Sequence, residues 1–150
     1  MNQGRLDEFG AYRKARELFD LVVSDMARLS GDPRCYRLVS QQVASADSVC
    51  ANMEEGFGRL SRAEYVRFLD IARGSTRETQ GRYQRMKHWL DAEVIAHRTG
   101  LAGEIIAILT TSINHMRQSP TVREDATPYG VYDEDGPSGV EATPPPSSDT

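Results

Sequence analysis

Between Arg59 and Lys87 the chain carries eight basic residues and three acidic ones. Seven of the eight, Arg59, Arg62, Arg67, Arg73, Arg77, Arg82 and Arg85, are arginine. A guanidinium forms paired hydrogen bonds to phosphate and stacks on planar rings, which the ammonium of lysine does poorly. That chemistry points to a polyanion. On a helical wheel Arg67 and Arg85 fall opposite the apolar sector, and Arg73 and Arg77 lie one turn apart on a flank. A second reading stays open: a solvated face laced by the pairs Glu64–Arg67, Asp70–Arg73 and Glu78–Arg82. The candidate phosphate contacts are Arg59, Arg62, Arg67, Arg73, Arg77 and Arg85.

Catalytic chemistry is hard to find. His88, His97 and His115 are scattered, and none belongs to a His-Glu-x-x-His pattern or another close metal-ligand spacing. The stretch "GFGR" is two glycines at a helix end with no strand before them, so it is not a phosphate-binding loop. Serine nucleophile motifs are missing. Glu54 and Glu55 are neighbours in sequence and point in different directions on a helix. The Glu-x-x-His pairs of metal-binding bundles do not occur. The expectation is a protein without catalytic residues, metal or cofactor.

Four helices must position the arginines. The first is predicted from about Glu8 to Leu29, where Tyr12, Ala15, Phe19, Val22, Met26 and Leu29 form one apolar stripe. Gly31 then stops it, and Asp32-Pro33 supplies an N-cap followed by proline at the first helical position. The second helix runs from about Pro33 to Glu55. Its stripe, Val39, Val43, Ala46, Cys50 and Met53, is flanked by small residues that admit a close neighbour, so it should be the most enclosed of the four.

The corner "EEGFGRLSRAE" ends that helix and starts the next. Gly56 sits where a left-handed C-cap is wanted, and glycine adopts that conformation without steric cost. Gly58 permits a second turn, and Phe57 folds back over the bundle end. Ser61 and Glu64 have the spacing of a capping box. Acids near a helix C-terminus oppose its dipole, which a cation such as Arg59 can offset, so Glu55 reads as helix-end surface, with a direct functional role as the other reading. The third helix is predicted from about Arg62 to Leu90, and the fourth from about Ala92 to Gln118. Strand signals are absent. Four helices with short links predict an all-α, up-down-up-down four-helix bundle over residues 1–118.

Residues 119–150 differ in kind. They hold six of the seven prolines, seven acidic residues and one arginine, and read as a disordered acidic tail. The net charge of −4 belongs to this tail, because residues 1–118 carry 17 basic and 15 acidic side chains. The tail is read as a passive extension, with screening of a basic surface as the other reading. Cys35 and Cys50 lie in one predicted helix, roughly 22 Å apart at 1.5 Å per residue, too far for a disulfide. Both are expected to be reduced thiols in a cytoplasmic protein. No apolar run approaches the ~18 residues of a membrane span, and the N-terminus lacks a signal-peptide core.

The stretch "SVCANMEEGFGRLSRAEYVRFLDIARGS" resembles a bacterial four-helix-bundle family. That family includes proteins encoded in 23S rRNA intervening sequences and the accessory variability determinant of diversity-generating retroelements. Its pattern, Ser-Ile-x-x-Asn-Ile-x-Glu-Gly-x-Gly-Arg followed by Phe-x-x-Phe-Leu-x-x-Ala-x-Gly-Ser, falls on Ser48, Asn52, Glu55, Gly56, Gly58, Arg59, Phe68, Leu69, Ala72, Gly74 and Ser75. "YRKARELF" and Gln41 extend the resemblance over roughly Phe9 to Met116. It implies a homopentamer with a basic central channel and no enzyme activity. It also implies, for the retroelement members, binding to a reverse transcriptase and its template RNA or cDNA. Where the family often has two basic residues after the glutamine, this chain has Val43 and Ala44, which leaves the third helix to face RNA. The lead expectation is a non-enzymatic oligomeric RNA-binding accessory protein. The alternative is a structural protein–protein interaction module that docks protein through the second helix and the tail.

Overall fold

A computed structural model describes residues 3–118 of the chain. Regular structure among the described residues is entirely helical: α1 Gln3–Glu8, α2 Gly10–Leu29, a 3-10 turn Pro33–Cys35, α3 Tyr36–Phe57, α4 Arg62–Arg85 and α5 Ala92–Gln118. The acidic tail lies outside the described residues. The long helices form a helical bundle in which α3 packs on α4, α4 on α5, and α2 on both α3 and α5. Leu18, Met26, Met53, Leu69, Ile105, Leu109 and Ile113 are fully enclosed at its centre.

Four helix boundaries differ from the predicted ones. The first helix is broken at Phe9, whose extended backbone (φ −71°, ψ 116°) separates α1 from α2. The break lets Leu6 turn inward and places the Phe9 ring 5.7 Å from that of Phe57. Arg13 donates to the carbonyls of Asp7 and Glu8, which satisfies acceptors left open where α1 ends. Asp32 caps as expected, accepting from the Arg34 N–H at 2.9 Å, but it caps the 3-10 turn, and α3 starts only at Tyr36. Cys35 therefore precedes the helix that holds Cys50. Both thiols are free and buried, and burial pushes Cys50 up to about 12.

The third boundary is the end of α4, at Arg85 instead of Leu90. Met86 and Leu90 still enter the core, but through turns. A clamp holds this segment to the start of α3. Trp89 donates its indole N–H to Asp32 at 3.0 Å, and Arg34 pairs with Asp32 at 2.7 Å while lying 5.8 Å from the Trp89 ring centre. Hydrogen bonds from Arg34, its side chain first, and from Trp89 hold the Asp32 carboxyl well below the usual carboxylate range. A depressed folded-state value stabilises above the unfolded value and loses that contribution as pH falls through the folded one. The clamp is thus expected to hold at full strength above about pH 4 and to loosen only in stronger acid. Trp89 is the sole tryptophan, so its fluorescence during acid titration checks this. Asp32→Ala is expected to show the acid-state emission already at neutral pH.

The corner between α3 and α4, the fourth boundary, corrects the left-handed cap predicted at Gly56. The helix continues through Gly56 to Phe57, and Gly58 caps it with an ordinary helical backbone (φ −80°, ψ −8°). Gly56 is needed for a different reason. A Cβ there would lie 2.9 Å from Phe68 Cβ and 3.1 Å from Tyr65 Cδ2, so its absence lets α3 and α4 touch. Gly74, in the middle of α4, faces open space. Opposite outcomes follow. Gly56→Ala is expected to destabilise by about 1–3 kcal/mol, because the atom it strikes is fixed to the α4 backbone. Gly74→Ala is expected to stabilise by about 0.5–1 kcal/mol through helix propensity alone. Thermal unfolding of the two variants checks both signs.

Small polar residues line the same seam. Ser45 meets Thr79 at 2.8 Å, Ser48 meets Ser75 at 2.9 Å, and Gln42 donates to the Thr79 carbonyl at 2.9 Å. Partner numbers rise along α3 as they fall along α4, so this pair runs antiparallel. The expectation that this helix would be the most enclosed does not hold: eight residues of the shorter α2 are buried against seven in α3. Its outer face stays exposed at Gln41, Ala44 and Ala51.

Candidate nucleic-acid interface

The α4 arginines start from a capped helix. Ser61 accepts the Glu64 N–H at 3.4 Å. The return bond from the Glu64 carboxylate is not formed among the described residues, so half of the predicted capping box is present. Arg59, just before this cap, pairs with Glu55 one turn back, which offsets the acid at the α3 terminus. Its guanidinium lies 5.1 Å from the centre of the Phe68 ring, and that of Arg67 lies 5.6 Å from it. Phe68 is thus a platform for two cations, a role that its position in the apolar stripe did not announce.

The six candidate residues divide by environment. Arg67, Arg77 and Arg85 are exposed, and none of the three pairs with an acid among the described residues. Arg85 donates to the Gly81 carbonyl at 3.2 Å. Arg67 and Arg85, eighteen residues apart, point the same way about 27 Å from each other, with Arg77 some 80° around the helix. Arg59 and Arg62 stand at the α4 N-terminal end. Arg73 is different: it pairs with Asp70 at 2.6 Å, donates to Thr110 at 3.2 Å, and its side chain is 15% exposed. It joins α4 to α5. Of the three predicted surface pairs, Asp70–Arg73 forms. Glu64–Arg67 and Glu78–Arg82 do not.

Arg82 instead turns toward α3, where it donates to Gln42 Oε1 at 2.8 Å and Ser45 Oγ at 2.9 Å. Partial burial lowers its pKa. The remaining motif residues are also structural. Asn52 donates to the Ser48 carbonyl at 2.8 Å and to its hydroxyl at 3.0 Å, and Ser48 meets Ser75. Ser48, Asn52, Gly56, Phe68 and Ser75 therefore lie along the α3–α4 seam.

Sequence reasoning missed the buried charge at the opposite side of the bundle. Asp25 is fully enclosed on α2 and accepts from Arg98 Nε at 2.8 Å, from Arg98 Nη2 at 3.0 Å and from the Tyr83 hydroxyl at 2.7 Å. Burial, and then the bond to Asp25, push the Tyr83 phenol far up. One signal was available: Asp25 falls between Val22, Met26 and Leu29 on the apolar stripe. Among the described residues no cluster of three or more His, Cys, Asp or Glu side chains could hold a metal, and no helix is long and apolar enough to cross a membrane.

Fold and surface together define a helical-bundle protein that presents arginines from the exposed face of α4. The model of the 23S rRNA-intervening sequence protein family matches residues 7–111, and the chain belongs to that family. It is also similar to a crystal structure of a protein with unknown function from the S23 ribosomal protein family of Bacteroides thetaiotaomicron. The match has 22% identity and a TM-score of 0.65, and covers 69% of this chain and 97% of that one. Likeness at that identity shows a shared fold. No curated protein matches the sequence.

Proposed function

We propose that this protein is a non-enzymatic, oligomeric RNA-binding accessory protein whose contact surface is the outer face of α4. The observation that carries the reading is the trio Arg67, Arg77 and Arg85, exposed and without acidic partners among the described residues. Arg59, which also pairs with Glu55, and the half-buried Arg62 stand beside the trio at the helix start. Arg73, held between α4 and α5, is left out. In this reading the four long helices run up-down-up-down. The side-chain ties from Asp25 to Arg98, Ser45 to Thr79 and Gln80 to Thr99 support that order.

The partners are template RNA and, by the resemblance to retroelement accessory proteins, a reverse transcriptase in the cytoplasm. A closed ring of copies, a homopentamer, repeats the patch on every subunit. RNA affinity is expected to fall by about 0.7 log units per log unit of salt for each phosphate neutralised. A salt titration of RNA binding by the intact chain tests this. A flat response, or a purified sample that neither carries nor binds RNA, favours the protein-docking module instead. Light scattering of the same sample tests the oligomer.

A further inference from the structure

A cleft of about 550 Å³ opens at the end of the bundle where α3 turns into α4. Arg5, Arg59 and Arg62 line it together with the apolar surfaces of Phe57, Tyr65 and Met116. Among the described residues no acidic side chain lines it, and Glu55 pairs with Arg59 from outside the cleft. Burial pushes the Tyr65 phenol up to about 12, and the nearby Arg5 pulls the other way, so cation and ring share one space. Leu60 stands in the wall 77% exposed, an apolar side chain without cover. The lining suits a ligand that is anionic and aromatic at once.

The chain itself holds such a segment. Met116 lines the cleft and α5 ends two residues later at Gln118. Further along, "YGVYDED" sets Tyr129, Val131 and Tyr132 directly beside Asp133, Glu134 and Asp135. Tyr129 is eleven residues past Gln118, a reach of up to about 36–40 Å, enough to return to the cleft beside the α5 terminus. Tethering at that distance gives an effective concentration on the order of millimolar.

We propose that this cleft is the docking site for the protein's own segment 129–135. Its carboxylates meet the arginines, and its two tyrosines cover Leu60 and the apolar lining. The tail is then an internal ligand of the bundle and not a passive extension. Docking occupies Arg59 and Arg62, so it competes with a polyanion for the start of α4. That consequence rests on the RNA reading, whereas the docking does not.

A nitroxide at Ser138→Cys in the full chain tests the docking, since the native Cys35 and Cys50 are buried away from the label. Amide signals of Phe57, Leu60 and Tyr65 are expected to broaden at least twofold more than those around Trp89, past the far end of α4. Asp133→Asn, Glu134→Gln and Asp135→Asn together, outside the described residues, are expected to remove the broadening. Arg5→Glu is expected to do the same. Arg5 is not part of the proposed RNA surface, so RNA binding that survives Arg5→Glu separates the two readings. Equal broadening at both ends, or broadening of the cleft that persists in the triple tail variant, overturns the proposal.

Discussion

Asp25→Ala is expected to lower folding stability by about 3–5 kcal/mol, the usual cost of removing one partner from a buried ion pair. The carboxylate is fully enclosed, and it takes three hydrogen bonds, two from Arg98 and one from Tyr83. Truncation leaves a guanidinium that is 14% exposed and a buried phenol hydroxyl without their acceptor. With a slope of about 2 kcal/mol per molar urea, the unfolding midpoint is expected to fall by roughly 1.5–2.5 M. The double variant Asp25→Leu with Arg98→Met is expected to be much milder, because it removes both charges and keeps apolar volume. A double variant as damaged as Asp25→Ala would show that packing at this site, and not the stranded charge, sets the cost. The pair joins α2 to α5 and, through Tyr83, to α4, so it fixes how three helices align.

The second large effect concerns RNA. Replacing Arg67, Arg77 and Arg85 together by glutamate is expected to weaken binding by about two orders of magnitude at 0.1 M salt. The salt slope is expected to become shallower by about 2, because three phosphate contacts are lost. None of the three side chains pairs with an acid or enters the core among the described residues, so the fold should tolerate the change. Lysine at the same three positions is expected to keep the slope and lose the paired hydrogen bonds. Charge reversal at Arg73 is a poor substitute experiment. That side chain ties α4 to α5 through Asp70 and Thr110, so its loss confounds stability with binding. An unchanged affinity in the triple glutamate variant would remove the α4 face from the proposal.

Much of the architecture was legible because helix signals are local. The predicted span of α5 was Ala92 to Gln118, as observed, and α4 starts at Arg62 behind the Ser61 cap. Caps and apolar spacing act within one or two turns, so the residues that cause them are neighbours in sequence. Boundaries failed where a distant residue decided. The α4 terminus is held by Trp89 reaching Asp32, 57 positions away. The break at Phe9 accompanies its contact with Phe57. Gly56 was rightly singled out, but for backbone conformation, when the actual cause is the approach of Phe68.

The surface divides the same way. Sequence by itself determined that the described residues are helical, that the arginines concentrate on one helix, and that the net acidity lies after Ser119. Only the tertiary structure decided which arginines face solvent. Arg73 and Arg77 are one turn apart and looked equivalent, yet Thr110 on a neighbouring helix draws one inward and leaves the other out. Arg82 turns to Gln42 and Ser45 for the same reason. Helical periodicity places a side chain on a sector of its own helix. Whether that sector meets water or another helix depends on contacts between residues tens of positions apart, which no local spacing encodes.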